Sequence, residues 1–199
     1  RRHVARETQT LHAPMAHRLG LYLIKTEMED LALKFLDYDT YKYIAHALNA
    51  KKVEREQYIA RFIAPIEEKL KKEGFTFTIK GRPKSIHSIY HKMQAQRCDI
   101  DRIYDLFAIR IIIDTPLERE KSDCWQVYSL ITDVFTPNPK RLRDWLSAPK
   151  ENGYESLHTT VLGPDNRWVE VQIRTRRMDE VAEQGVAAHW SYRGVKGNI

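Results

Sequence analysis

Glu73-Gly74-Phe75-Thr76-Phe77-Thr78-Ile79-Lys80-Gly81 is where this chain of 199 residues changes its period. Phe75, Phe77 and Ile79 alternate with Thr76, Thr78 and Lys80, the two-residue repeat of a half-buried strand that ends at Gly81. Gly74 stands where a helix-closing glycine belongs, since glycine takes the left-handed conformation there without steric cost. Upstream, Ile59, Phe62, Ile63, Ile66 and Leu70 follow the i, i+3, i+4, i+7 spacing of a buried helix face. Pro65 falls inside that pattern and is expected to kink or restart the helix. Around residues 19–36, Leu23, Ile24, Leu31, Leu33 and Phe35 sit among charges with no strand-like alternation. Residues 1–73 therefore read as helical throughout.

Downstream the elements alternate. Residues 86–93 read as a short helix, 106–114 as a strand rich in β-branched residues, and 125–134 as a helix. Two further strands, 157–162 and 168–173, are joined by Gly163-Pro164-Asp165-Asn166, a turn signal built from glycine freedom, a fixed proline φ and Asx side-chain bonding. The tail 176–190 reads as a helix. The expected architecture is α+β: an all-helical segment, 1–73, leading into an α+β domain, 74–199.

Composition narrows the function classes. Hydrophobic residues make up 42% of the chain and charged residues 30%, with eight glycines and eight prolines, which suits a packed core and excludes a disordered or fibrous chain. The longest apolar stretch, 106–113, is interrupted by Arg110 and is too short to span a bilayer, so no membrane partner is expected. The opening Arg1-Arg2-His3 carries no apolar run of a secretory signal, and the missing initiator Met suggests a piece of a longer protein. Cys98 and Cys124 form no CxxC pair, so neither a disulfide scaffold nor a thiolate zinc site is expected and the cytoplasm is the default compartment. A net charge of +6 favours an anionic partner: a nucleotide, RNA or a phosphorylated metabolite.

The charges are not evenly spread. No acidic residue occurs from Gly74 through Cys98, where Lys80, Arg82, Lys84, Lys92 and Arg97 supply five positive charges. A second cluster, Lys140, Arg141, Arg143 and Lys150, contains one acid, Asp144. A charge run alone is most simply a solvated surface. Arg82 and Lys84, however, bracket Pro83 at a strand end where a loop enters a helix N-terminus, a place for backbone N–H groups and cations to converge on phosphate. A metal-assisted phosphate site also needs carboxylates. Asp105 sits at the edge of one strand and Glu170 within another, so the pair can hold divalent cations between them. Glu170, Gln172 and Arg174 repeat at period two and share a sheet face; the competing account is a merely solvent-facing surface. Beyond the Asn152-Gly153 turn, Tyr154 is placed to present a flat ring to a purine. His158 is ambiguous, since a lone histidine is more often a satisfied structural residue than a catalyst. His12, His17 and His46 show no HExxH or comparable ligand spacing.

Four blocks together carry a resemblance: Gly81-Arg82-Pro83-Lys84-Ser85-Ile86, Tyr104-Asp105-Leu106-Phe107-Ala108-Ile109-Arg110, Asn152-Gly153-Tyr154-Glu155-Ser156-Leu157-His158-Thr159 and Val169-Glu170-Val171-Gln172-Ile173-Arg174-Thr175. In order and spacing they resemble the signature blocks of the alarmone synthetase domain of the RelA/SpoT family. The closing Ala187-Ala188-His189-Trp190 resembles the end of that domain, and the opening, Glu7-Thr8 through Ala13-Pro14-Met15-Ala16-His17-Arg18-Leu19-Gly20, the helices that link the family's hydrolase domain to its synthetase. The resemblance implies a nucleotidyltransferase-like fold, a mixed, mainly antiparallel sheet flanked by helices. It implies transfer of pyrophosphate from ATP to the 3′-hydroxyl of GTP or GDP, with Mg²⁺ (or Mn²⁺) as cofactor. Carried over residue by residue, Asp105 and Glu170 would hold the metal and do the chemistry. Arg82, Lys84, Ser88, Lys92 and Arg110 would bind ATP, with Arg110 against adenine. Arg141, Arg143, Lys150, Asn152, Tyr154, His158, Gln172 and Arg174 would form the GTP/GDP pocket, with Tyr154 stacked on guanine. A ribosome or tRNA contact would be made through the longer parent protein.

One block departs from the pattern. The family carries a basic Arg-x-Lys-Asp or an acidic Glu-x-Asp-Asp motif before the Asn-Gly-Tyr block, and here it is Arg141-Leu142-Arg143-Asp144. The charge matches the basic version, associated with members that both make and degrade the alarmone, although arginine and lysine differ as phosphate ligands. The hydrolase signature, a His-Asp pair with further acids, does not occur in these residues, so this chain is not expected to hydrolyse. The competing class is a catalytically idle module that binds RNA or a partner protein through its basic face; Asp105 and Glu170 argue against it, because such a binder has no use for them.

Overall fold

A computed structural model describes residues 1–103 and 106–184. The helical segment comprises α1 (Arg2–Glu7), a π-helical turn Thr8–His12, α2 (Ala13–Arg18), α3 (Tyr22–Leu36), α4 (Tyr38–Ala50) and α5 (Lys52–Lys72). Then follow β1 (Thr76–Pro83), α6 (Ile86–Gln96), β2 (Phe107–Asp114), α7 (Glu120–Thr132), β3 (Thr136–Pro137), β4 (Arg143–Asp144), β5 (Leu157–Leu162), β6 (Trp168–Thr175) and α8 (Arg176–Gln184). The sheet runs β1-β2-β6-β5-β3, with β4 added on β5; β2 and β6 are parallel and the other pairings antiparallel. The expected α+β class, with a mainly antiparallel sheet flanked by helices, is what the chain adopts.

Gly74 has φ +76° and closes α5: its N–H donates to the Lys71 carbonyl at 3.1 Å and the Phe75 N–H to the Leu70 carbonyl at 3.0 Å. Pro65 does not restart the helix, contrary to one of the outcomes expected. α5 runs on through it, giving up the bond to the Arg61 carbonyl, because Tyr58 and Phe62 before the proline and Ile66 and Leu70 after it are all buried in one core. That core lies on one face of the sheet, where α5 and α7 (Cys124, Val127, Ile131) cover Ile109, Ile111 and Ile113 of β2 and Val169, Val171 and Ile173 of β6. Each such side chain contributes roughly 1.5–3 kcal/mol on burial. Burial also pushes the Cys124 thiol up to about 12, so it is a packing group. Gly81 belongs to the same face: a Cβ there would stand 2.8 Å from Cδ1 of Ile59, so its absence lets α5 approach β1.

The remaining boundaries moved where polar side chains hid the period. α7 begins at Glu120, five residues before the expected start, since its first turn holds the buried acids Glu120 and Asp123. Arg177 donates to Glu120 at 2.6 Å and to Glu155 at 2.6 Å, tying the start of α8 to α7. β6 continues to Thr175 through the buried Arg174. The part of the expected tail helix beyond Gln184 lies outside the described residues. A second cluster, Ile44, Ile89, Ile100 and Ile103, joins α4 to α6.

α6 ends at Arg97, which has φ 49° and ψ 45° with an exposed side chain. A left-handed non-glycine costs about 1–2 kcal/mol, and glycine in the unfolded chain gives back roughly 0.4–1 kcal/mol of that. Arg97→Gly is therefore expected to raise stability by about 0.5–1 kcal/mol, read as a higher midpoint in urea unfolding.

Candidate active site

Register decides which side chains meet. Ala108 pairs with Glu170, Arg110 with Gln172 and Ile112 with Arg174 across β2 and β6. Lys80 pairs with Arg110 and Arg82 with Ala108 across β1 and β2. His158 pairs with Gln172 across β5 and β6, and Arg143 with His158 across β4 and β5. Period two then puts Lys80, Arg82, Arg110, Glu170, Gln172, Arg174, His158 and Arg143 on the face opposite the core.

Two clefts open on this face. The first, of ≈ 730 Å³, is lined by Arg82, Lys84, Ser88, Lys92, Glu170 and Gln172 from the sheet and α6, and by Thr26, Asp30, Asn49, Lys52 and Arg55 from α3, α4 and α5. The Ser85 hydroxyl caps α6, accepting from Ser88 N at 3.1 Å, which sets the first turn of that helix at the cleft. Lys84 Nζ lies 3.7 Å from Glu170 Oε2. The second cleft, of ≈ 200 Å³, is lined by Lys150, Tyr154, His158, Gln172, Arg174, Arg110, Arg82 and Glu183, with Tyr22, Lys25 and Thr26 of α3. Arg82, Gln172 and Thr26 line both, so the clefts adjoin.

A hydrogen-bonded ladder along β6 joins them. Arg174 Nη2 donates to Gln172 Oε1 at 2.8 Å, and Gln172 Nε2 donates to Glu170 Oε1 at 2.9 Å. Arg174 is 1% exposed, and burial pulls its guanidinium below its ordinary value. Arg110 donates to Asp179 at 3.0 Å and to Glu183 at 2.6 Å, and Arg174 stands 3.5 Å from Asp179, so two carboxylates of α8 balance two buried cations. Arg110 Nε and Arg174 Nε and Nη1 are buried without a hydrogen-bond partner among the described residues.

The sequence candidates are distributed as follows. Arg82, Lys84, Ser88, Lys92 and Glu170 meet in the first cleft, and Lys150, Tyr154, His158, Gln172 and Arg174 in the second. Arg110, grouped with the ATP ligands on resemblance, lines the second cleft. Asn152 lines neither; its amide donates to Tyr22 Oη at 2.8 Å. Arg141 and Arg143 are exposed and line neither, and Arg143 donates to the Lys140 and Leu142 carbonyls. Asp105 lies outside the described residues. Tyr154 is not at the mouth of its loop: the turn folds back so that Lys150 N donates to the Tyr154 carbonyl at 3.1 Å, and the ring is 8% exposed. Tyr22 packs edge-on against it, and Lys150 and Arg174 stand 5.1 Å and 5.5 Å from its centroid. Sequence reading missed Tyr22, Lys25, Thr26, Asp30, Lys52 and Arg55 altogether, since helical periodicity gives no sign of a site wall. It also missed Asp179 and Glu183, for which a carboxylate pair at i, i+4 was the available signal.

Residues 81–196 match the family model described as a region found in RelA / SpoT proteins, and the chain belongs to that family. It is 42% identical over 198 residues to the probable guanosine-3′,5′-bis(diphosphate) 3′-pyrophosphohydrolase of Synechocystis sp., covering 99% of this chain and 25% of that one. It is 41% identical over 196 residues to the GTP pyrophosphokinase of Myxococcus xanthus, covering 98% and 25%. It is 39% identical over 193 residues to the bifunctional (p)ppGpp synthase/hydrolase SpoT of Escherichia coli, covering 97% and 27%. The chain thus spans about a quarter of the length of the curated relatives it matches. Among solved structures, the small alarmone synthetase 1 of Bacillus subtilis bound to its product pppGpp aligns with a TM-score of 0.49 at 22% identity, over 79% of this chain and 84% of that one.

His158 carries a test of the second cleft. Burial holds its imidazole down to about 4, and its Nε2 lies 2.7 Å from Tyr154 Oη. The unfolded chain therefore binds a proton between pH 6.5 and about 4 that the folded chain refuses, so stability falls as pH drops through that window. The melting temperature of the wild type is expected to fall more steeply from pH 6.5 to 4 than that of His158→Gln; parallel curves would reject the buried neutral imidazole.

Proposed function

We propose that this chain is the part of its parent protein that transfers pyrophosphate from ATP to the 3′-hydroxyl of GTP or GDP, giving (p)ppGpp and AMP. The observation that carries the reading is the Arg174–Gln172–Glu170 ladder, which runs from the second cleft through Gln172, lining both, to the Glu170 carboxylate in the first, so that two cation-lined clefts adjoin at one carboxylate. A transfer between two nucleotides needs two anion sites meeting at one reacting centre. In this reading ATP occupies the larger cleft, with its phosphates on Arg82, Lys84, Ser88 and Lys92. The guanosine nucleotide occupies the smaller, on Lys150, Tyr154, His158, Gln172 and Arg174; Asn152 orders the loop through Tyr22. Residues 1–73 and 74–199 are read as linking segment and catalytic part, with α3 of the first contributing to both clefts.

Chemically, the 3′-oxygen bonds to the β-phosphorus as the bond from that phosphorus to the α,β-bridging oxygen breaks, and AMP departs with that oxygen. The hydroxyl proton passes to the Glu170 carboxylate. Lys84, 3.7 Å from that carboxylate, offsets charge on the transferring group. Glu170, part-exposed in the first cleft, offers the hard oxygen that Mg²⁺ or Mn²⁺ prefers; among the described residues no three or more His, Cys, Asp or Glu form a metal cluster. A cation held by one or two carboxylates plus substrate phosphates fits that donor set, with Asp105 as second carboxylate, and it would supply charge neutralisation of the phosphates. No helix among the described residues is long and apolar enough to cross a membrane. We place the reaction in the cytoplasm, where both nucleotides are at hand, and assign any ribosome or tRNA contact to the longer parent.

Incubating the chain with radiolabelled ATP, GTP and Mg²⁺ should yield a pyrophosphorylated guanosine nucleotide; an idle RNA- or protein-binding module would yield none. Glu170→Gln should reduce turnover ~10²-fold or more while keeping the wild-type melting temperature, because it removes charge at constant volume. Lys84→Ala should raise the KM for ATP far more than that for GTP. Tyr22→Phe, which deletes one hydrogen bond to Asn152, should do the reverse, raising the KM for GTP several-fold with the KM for ATP unchanged. Steady-state kinetics with each nucleotide varied in turn separate these outcomes.

A further inference from the structure

On α6, His87 and His91 are one helical turn apart and share a face. His87 is 6% exposed, whereas His91 faces solvent. Their rings are nearly perpendicular, at 78°, with centroids 4.4 Å apart, and the two Nε2 atoms approach to 3.2 Å. Behind His87, its Nδ1 lies 3.4 Å from Glu29 Oε2 of α3, and that carboxylate is also bridged to Lys25 at 2.9 Å. The main-chain N–H of His87 donates to Asp30 Oδ1 at 2.8 Å, so α3 fixes both the backbone and the outer ring nitrogen of this residue. The carboxylate on Nδ1 keeps the His87 proton there and leaves the His87 Nε2 unprotonated, 3.2 Å from the His91 Nε2. Neither histidine belongs to the transfer chemistry above.

A hydrogen bond between the rings requires the His91 proton on Nε2. With that proton on Nδ1 instead, two unprotonated imidazole nitrogens stand 3.2 Å apart. A dication about 2.0–2.1 Å from each nitrogen, with the nitrogens 3.2 Å apart, subtends an N–metal–N angle of ~100°, close to tetrahedral. We propose that His87 and His91 form a binding site for a borderline transition-metal dication, with Zn²⁺ as the ion the two nitrogens suit best and Glu29 as the carboxylate that orients His87. No three or more His, Cys, Asp or Glu side chains among the described residues are arranged around a metal, so the other positions fall to water on the open side of His91. Imidazole nitrogen prefers Zn²⁺, Ni²⁺ or Cu²⁺ over Mg²⁺, which separates this site from the oxygen donors of the first cleft. The ion would clip the first turns of α6, where Ser88 and Lys92, the neighbours of the two histidines, line that cleft.

The test is calorimetric titration of Zn²⁺ into the 199-residue chain in millimolar Mg²⁺, together with ¹⁵N spectra of the histidine rings. The expected result is one Zn²⁺ per chain, bound at least tenfold more weakly by His91→Ala and more weakly by Glu29→Gln, with Cys98→Ser and His46→Ala unchanged. The Nε2 resonances of His87 and His91 should move together on addition of Zn²⁺, and the melting temperature should rise in the wild type but not in His91→Ala. Because His91 is exposed, its variant should melt like the wild type without metal; if it does not, the wild-type ring resonances decide. Zn²⁺ affinity unaltered by His91→Ala, binding lost only in Cys98→Ser, or Nε2 resonances that stay in place would each overturn the proposal.

Discussion

The parallel pairing of β2 with β6 is the constraint on which the rest of the molecule depends. Ala108 lies beside Glu170, and Arg110 beside Gln172, so one face carries Ile109, Ile111, Val169, Val171 and Ile173 and the other carries the charged groups. A slip of one residue would turn Glu170, Gln172 and Arg174 into the hydrophobic layer under α5 and α7 and expose the valines and isoleucines. Hydrophobic burial on one side therefore fixes the chemistry on the other. The two strands occupy the middle of the sheet, with β1 beyond one and β5 beyond the other, so every outer strand takes its register from this pair.

Electrostatics on the polar face follow from burial. Placing the guanidinium groups of Arg110 and Arg174 out of water is costly unless carboxylates stand close, and Asp179 and Glu183 of α8 do so. The position of α8 is held in turn by Arg177 against Glu120 and Glu155. The first cleft is less enclosed and less balanced: Arg82, Lys84, Lys92, Lys52 and Arg55 outnumber Asp30 and Glu170. One region thus holds its cations in fixed internal pairs and the other leaves an excess of positive charge facing a large opening, an arrangement that draws in a polyanion.

Much of this was legible in the sequence for reasons that can be stated. Period-two alternation marked β1 and β6, and the Gly74 helix end was visible because few residues tolerate its backbone conformation. Glu170, Gln172 and Arg174 were seen to share a face because alternation is a property of the strand itself. What stayed hidden was tertiary. That α3 walls both clefts depends on packing between segments more than a hundred residues apart, such as Tyr22 against Asn152 and Tyr154. The start of α7 was missed because Glu120 is buried by Thr175 and Arg177, partners more than fifty residues away that no local pattern announces. Tyr154 was read as presented by its loop, yet the loop folds inward and buries the ring.

The place of β6 in the sheet has a consequence for synthesis on the ribosome. β2 is Phe-Ala-Ile-Arg-Ile-Ile-Ile-Asp, and one of its edges is satisfied by β6, which emerges about sixty residues later. At roughly 5–20 residues per second, that edge stays open for several seconds on each nascent chain. A β-branched strand with a bare edge is a template for pairing with neighbouring chains. Arg110, in the middle of the strand, is a charge that such intermolecular stacking would have to bury without Asp179 or Glu183, which are made later still. The same arginine that faces the cleft in the finished protein thus guards the unfinished one against aggregation.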